Sequence, residues 1–168
     1  MKIAIVGTHQ VGKTTLAQAV HAELQDYTLL QEPYHDQNEA GIPTADDFIQ
    51  QFNYSIKQVN TGNDRVIFDR CIIDILAYLH AVSPTLNIQS FFTQAQTAIS
   101  TIDLFIFIPI EKPDIVTSSQ VEMPKLRQAV NDLLIEWIDD MGIDALVVRG
   151  DIQLRLATIM NKLAGSAV

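Results

Sequence analysis

A single cysteine, Cys71, occurs in 168 residues, so no disulfide can form within the chain. Positive charge is scarce as well. Eleven Lys and Arg face twenty Asp and Glu, for a net charge of −9. That balance argues against unselective binding to nucleic acid or to an acidic membrane surface, and neither is expected as a partner. No apolar run is long enough to span a bilayer. No leader-like stretch stands before the first apolar run, and a cytoplasmic protein is expected. There is no internal repeat, no low-complexity segment and no composition shift that marks a second domain. Residues 1–165 are expected to form one domain around one sizeable core, and the hydrophobic fraction of 48% is ordinary for that class.

What the chain does have is Gly7-Thr8-His9-Gln10-Val11-Gly12-Lys13-Thr14, which reads G-x-x-x-x-G-K-T. Lys2–Val6 before it is a short β-branched run suited to a buried parallel strand. Leu16, Ala17, Val20 and Leu24 after it recur at helical spacing. Strand, glycine loop, helix is the context in which this pattern cradles phosphate. Gly7 and Gly12 permit turns that a Cβ would obstruct. Consecutive backbone N–H groups and the helix N-terminus then attract an anion. Lys13 is expected to reach the outer phosphates and the Thr14 hydroxyl to bind Mg²⁺. The candidate nucleotide-binding residues are Gly7, Thr8, His9, Gln10, Val11, Gly12, Lys13, Thr14 and Thr15, with ATP and Mg²⁺ as the expected cofactors. His9, at a variable position, is read as lining the loop near the γ-phosphate.

Farther along, strands are expected at 28–30, 65–68, 104–108 and 145–148. Thr44-Ala45-Asp46-Asp47 resembles a capping box and opens a helix through about Val59. Helices follow over 72–82 and from Asn87 to Ile99. A second capping pattern, Ser119-Gln120-Val121-Glu122, opens a long helix that Gly142 stops, and a last helix runs to Leu163. Five strands separated by helices predict an α/β fold, a parallel sheet with helices on both faces.

Two further strand ends carry candidates. Glu32, before Pro33, stands at the carboxyl end of the second strand, where open α/β sheets bind ligands. It is a candidate general base for an acceptor hydroxyl, or else a solvated turn residue. Asp69 ends the third strand and is a candidate Mg²⁺ partner alongside Thr14, or else a cap for the next helix. Arg70 either clamps a phosphate or substrate or pairs with Asp74. Gln50, Gln51 and Gln58 are amides available to read a polar acceptor. Cys71 reads as a small buried residue and Trp137 as core. No Asp-x-x-Gly follows the third strand and no Asn-Lys-x-Asp guanine reader occurs, which argues against a GTPase.

Gly7–Thr14, Glu32-Pro33 and the run Phe68-Asp69-Arg70-Cys71-Ile72-Ile73-Asp74-Ile75-Leu76-Ala77-Tyr78 together resemble the small nucleoside and nucleotide kinase-like P-loop proteins. The nearest branch is the AAA-type ATPase/kinase group that includes the ribosylnicotinamide kinase domain of NAD metabolism. The resemblance covers most of the chain. It implies a three-layer P-loop fold with sheet order 2-3-1-4-5, a small-molecule acceptor, Glu32 as base and Arg70 as a substrate-binding residue. It also implies that Gly150, Asp151 and Arg155 flank the adenine. A homodimer is compatible with it. Relatives often carry serine where Cys71 stands, and they place arginines in the connection after the fourth strand. Here that connection, between Pro109 and Pro124, holds only Lys112, with Lys125 and Arg127 just beyond. Arg127 is the expected source of positive charge over the transferring phosphoryl group. The alternative function is a regulatory or switch ATPase with no small acceptor.

Overall fold

The computed structural model describes residues 1–31, 43–61, 63–114 and 121–165. Five strands are present: β1 (Lys2–Val6), β2 (Thr28–Leu30), β3 (Val66–Asp69), β4 (Leu104–Phe107) and β5 (Ala145–Val147). Between and after them run α1 (Lys13–Glu23), α2 (Ala45–Asn60), α3 (Ile72–Val82), α4 (Gln89–Ile99), α5 (Pro124–Asp140) and α6 (Ile152–Gly165). All four strand pairings are parallel, and the order is β2-β3-β1-β4-β5, as expected.

The three central strands, β1, β3 and β4, are buried almost throughout because both of their faces are covered. Ile3 and Ile5 of β1, Ile67 of β3, and Leu104 and Ile106 of β4 pack with Leu16, Ala17 and Val20 of α1 and Ile159 of α6. The alternate residues Ala4, Val6, Val66, Phe68, Phe105 and Phe107 pack with Phe52, Leu76, Leu79, Val130, Leu134 and Trp137 from the other helices. The phenylalanines of β3 and β4 therefore point towards the face that carries four helices, and the isoleucines of β1, β3 and β4 towards the face that carries two. Trp137 is core, edge-on to Phe92 with ring centroids 5.6 Å apart.

Register puts the functional ends together. Ile5 lies beside Asp69, Leu30 beside Phe68, and Val6 beside Phe107. The chain leaves β1, β2 and β3 at one sheet edge, so the glycine loop, Gln31 and Asp69-Arg70 share it.

The expected helix starts hold in one case and fail in another. Thr44 caps α2 as read: its hydroxyl accepts from Asp47 N–H, and the Asp47 carboxylate accepts from Thr44 N–H at 2.7 Å. The long helix does not open on Ser119–Glu122. Ser119 and Gln120 lie outside the described residues, and Glu122 is not helical; its N–H donates to the Gln10 side chain at 2.9 Å. The start is moved to Pro124, after Met123 in a left-handed conformation, and proline suits a first helical position because its missing N–H would be unpaired there anyway. Residue 65 falls before β3; the exposed Arg65 pairs with Asp26 instead.

Candidate active site

The glycine loop leaves β1 under tight steric constraint. Gly7 has φ of 153°, and a Cβ there would meet the Ile108 carbonyl oxygen at 2.6 Å. Gly12, with φ of 89°, is the left-handed residue from which α1 starts. Gln10 is left-handed too, with φ of 56°, although it is not glycine.

Five consecutive carbonyls of this loop accept hydrogen bonds from outside or from the helix. Thr8 O accepts from Lys13 Nζ at 2.7 Å, and His9 O from Arg127 Nε at 3.0 Å. Gln10 O accepts from the second Arg127 nitrogen at 3.4 Å, Val11 O from Arg155 at 2.7 Å, and Gly12 O from Leu16 N–H at 3.0 Å. In a planar trans peptide the C=O and the following N–H point in opposite directions. Binding the carbonyls to Arg127 and Arg155 therefore turns the N–H groups of Gln10, Val11 and Gly12 to the other side. Those N–H groups, the Lys13 ammonium and the α1 N-terminus are donors of the kind that suit an anion.

Each arginine is itself oriented by a carboxylate from the chain just after β4. Asp114 grips Arg127 with two bonds of 2.5 and 3.0 Å. Glu111 bonds Arg155 at 2.6 Å and also accepts the Gly150 N–H at 3.0 Å. Both guanidiniums are almost fully buried. Arg127, expected to bring charge over the phosphates, is thus placed against the carbonyl side of the loop, where its donors meet carbonyls and a carboxylate. Arg155 and Gly150, expected beside an adenine, are joined through Glu111 into a brace for the loop, while Asp151 caps α6 at Leu154 N–H, 2.9 Å away.

Asp74 is the residue whose role the sequence reading missed. It is fully buried, and both its carboxylate oxygens are taken by backbone N–H groups. One oxygen accepts Gly7 N–H at 2.7 Å, and the other accepts Cys71 N–H at 2.8 Å. It therefore fastens the start of the loop to the start of α3. Burial pushes its pKa up to about 6, against the opposing pull of Lys13, the two N–H bonds and Arg70. An acidic residue in the first turn of the helix after β3 was the available signal; its reach across to Gly7 was not. Cys71 is fully buried, and burial beside Asp74 pushes its thiol up to about 12, so it is inert as a nucleophile.

Tyr78 stands where the loop meets α2 and Arg70. Its ring stacks on Phe48 with centroids 5.4 Å apart, and the Arg70 guanidinium lies over it at 4.8 Å. Its hydroxyl oxygen lies 2.7 Å from His9 N, 2.8 Å from His9 Nδ1 and 3.3 Å from Thr8 Oγ1. The other ring nitrogen, His9 Nε2, is 2.6 Å from the Glu122 carbonyl. A carbonyl only accepts, so Nε2 carries the proton, and in the neutral ring Nδ1 accepts from the Tyr78 hydroxyl. Burial, together with the charges of Lys13, Arg127 and Arg70, holds the His9 pKa below 6.5 although the Glu122 carbonyl pulls it up.

Asp69 completes the edge. Its side chain is 2% exposed, and neither carboxylate oxygen has a hydrogen-bond partner among the described residues. A buried carboxylate left that way is suited to a cation or its bound water. Asp69 and Arg70 line a small hollow with Leu30, Gln31, Ser55 and Gln58. Arg70 is left-handed there, with φ of 78°. Of the three glutamines, Gln58 reaches this hollow, Gln51 is buried in α2 and Gln50 is exposed. Glu32 lies outside the described residues.

The profile of an AAA domain family matches residues 2–155. The chain belongs to that AAA domain family. No curated protein matches it. Among solved structures, the AAA domain is similar to deoxyadenosine kinase from M. mycoides with dCMP and dCDP bound. That match has 19% identity and a TM-score of 0.70, and covers 98% of this chain and 100% of the other. It is also similar to thymidylate kinase from Candida albicans, with 15% identity, a TM-score of 0.73 and coverage of 99% and 92%. NadR in complex with NR matches with 18% identity and a TM-score of 0.67 over 89% of this chain and 44% of the other. At these identities the likeness is one of fold, the P-loop α/β architecture described above.

Proposed function

We propose that this AAA domain is a kinase that transfers the γ-phosphoryl group of ATP to a nucleoside, a nucleotide or a related small acceptor. The observation that carries the reading is the convergence at one sheet edge of the anion-binding loop, the unpartnered buried carboxylate of Asp69, and the polar hollow of Arg70, Ser55 and Gln58. The solved structures that share the fold include a deoxyadenosine kinase and thymidylate kinases, which supports the same reaction class.

ATP lies with its phosphates along Gly7–Thr15. Thr14 and Asp69 are the residues that would hold Mg²⁺, which supplies charge neutralisation at the phosphates when bound. Lys13 swings from Thr8 O to the outer phosphate oxygens. Arg70 and Gln58 orient the acceptor. An acceptor oxygen attacks the γ-phosphorus in line; the new O–P bond forms as the bond to the β–γ bridging oxygen breaks, and ADP leaves. Glu32 takes the proton of a hydroxyl acceptor. A panel of nucleosides, nucleotides and ribosylnicotinamide with ATP tests the reading. Phosphorylation of one acceptor class supports it, and ATP binding with no acceptor phosphorylated sinks it.

One observation favours a second reading, a switch ATPase without a small acceptor. Lys112 and Lys125 are exposed and Arg127 is engaged behind the loop, so among the described residues the β4–α5 connection brings no arginine over the phosphates. Slow hydrolysis indifferent to every acceptor, with partner binding that differs between ADP and ATP, would select it.

A further inference from the structure

Two of the four loop residues that the phosphate-binding pattern leaves variable, His9 and Gln10, both reach the same residue on the far side of the β4–α5 connection. The Glu122 carbonyl accepts from His9 Nε2 at 2.6 Å, and the Glu122 N–H donates to Gln10 Oε1 at 2.9 Å. Both main-chain hydrogen-bonding groups of Glu122 are therefore taken by neighbouring loop side chains. The contact is returned one turn into α5, where Arg127 donates to the carbonyls of His9 and Gln10 at 3.0 and 3.4 Å. Four bonds thus join a two-residue stretch of the loop to the start of one helix.

We propose that His9 and Gln10 are positioning residues, which clasp Glu122 and thereby hold the loop in its phosphate-binding shape. Gln10 is left-handed without being glycine, a conformation that persists only where surrounding contacts over-determine it. The clasp and Arg127 supply those contacts on both its side chain and its carbonyl. Met123, next in sequence to Glu122, is left-handed as well, so the junction is constrained from both partners. The Tyr78 hydroxyl fixes the His9 ring from the opposite side at Nδ1, which leaves Nε2 aimed at Glu122. The loop's N–H face, and with it nucleotide affinity, then depends on a helix far away in sequence.

The inference rests on the nucleotide-binding part of the proposed function, and its test is read without any acceptor. In a histidine side chain Nε2 is matched in reach by the amide nitrogen of glutamine, and Nδ1 by that of asparagine. His9→Gln keeps a donor for Glu122, whereas His9→Asn loses it; Gln10→Met removes the acceptor for Glu122 N–H. Two quantities are measured on the intact chain: amide hydrogen exchange at Glu122 and across Gln10–Gly12, and MgATP affinity by titration. Gln10→Met should speed exchange at Glu122 and in the loop by about tenfold or more. His9→Asn and Gln10→Met should each weaken MgATP by about fivefold or more, an effect of one lost charge-neutral hydrogen bond plus loop order. His9→Gln should stay within about twofold of the parent. Unchanged exchange in Gln10→Met, or parent-like MgATP affinity in both disruptive variants, overturns the proposal, as does His9→Gln failing as badly as His9→Asn. If Gln10→Met does not fold, the His9 pair decides alone, since its members differ only in which nitrogen is kept. Absence of any phosphorylated acceptor would remove the kinase reading and leave these measurements standing.

Discussion

Lys13 and Asp74 work on the same few ångströms of backbone from opposite charges. The ammonium holds Thr8 O at 2.7 Å and the carboxylate holds Gly7 N–H at the same distance. Removing the ammonium in Lys13→Ala should weaken MgATP binding by about 10- to 100-fold, the worth of a charge-assisted hydrogen bond to phosphate, as measured by titration. Glu32→Gln should leave MgATP affinity unchanged and lower transfer to the acceptor by about 10²- to 10⁴-fold; full transfer by this variant removes Glu32 as base. For Asp74 the prediction is a pH dependence. Its folded pKa is raised to about 6 from the ordinary 3.8, so the folded chain binds this proton more tightly than the unfolded chain. The group's contribution to stability is therefore full below pH 3.8, declines as pH rises towards 6, and is flat above. Asp74→Asn lacks the titration. The stability of the parent relative to this variant, from urea melts at a series of pH values, should fall between pH 4 and 6. A rise over that interval would contradict the assignment.

Among the elements, α2 and the pair α5–α6 have separate tasks. The helix α2 carries Ser55 and Gln58 to the hollow beside Asp69 and Arg70, and Phe48 to the Tyr78 ring. It starts on a two-way cap between Thr44 and Asp47. Thr44→Ala should lower stability by about 1 kcal/mol, and thermal melts should show it as a drop of about 2–4 °C. The helices α5 and α6 each send one arginine to the loop's carbonyls, and the turn after β4 sends each arginine its carboxylate. This brace resembles in miniature the way a catalytic group is kept rigid by a second set of contacts behind it. Charge that sequence position alone would assign to a bound phosphate is used here to orient the loop's peptides.

For the molecule as a whole, a nucleotide that binds only the folded state shifts the folding equilibrium. At a MgATP concentration one hundred times its dissociation constant the gain is about 2.7 kcal/mol. In a chain of this size that amounts to a melting temperature about 5–10 °C higher, readable by differential scanning. A shift with MgATP that exceeds the shift with ATP and chelator would show that the cation, for which Asp69 is suited, takes part. No shift with either would count against nucleotide binding altogether.

The element order, the parallel sheet and the loop were legible in the sequence because each depends on local chemistry. Ile3–Val6 is apolar throughout because β1 is covered on both faces, and G-x-x-x-x-G-K-T needs only its own residues to declare a phosphate turn. The Thr44–Asp47 cap was legible for the same reason, since its two partners lie three residues apart. The placement of Arg127 against the loop's carbonyls was not legible because its partners, His9, Gln10 and Asp114, lie 13 to 118 residues away. The start of α5 at Pro124 rather than near Ser119 was not legible either, and beside it Glu122 bonds Gln10 across 112 residues. Sequence by itself determined that this chain builds a P-loop α/β fold with a glycine loop at Gly7–Thr14 between β1 and α1, because periodicity and turn chemistry act over a few residues. Only the tertiary structure decided that Arg127 and Arg155 hold the loop's carbonyls, because that depends on directions of side chains brought together by strand register and helix packing.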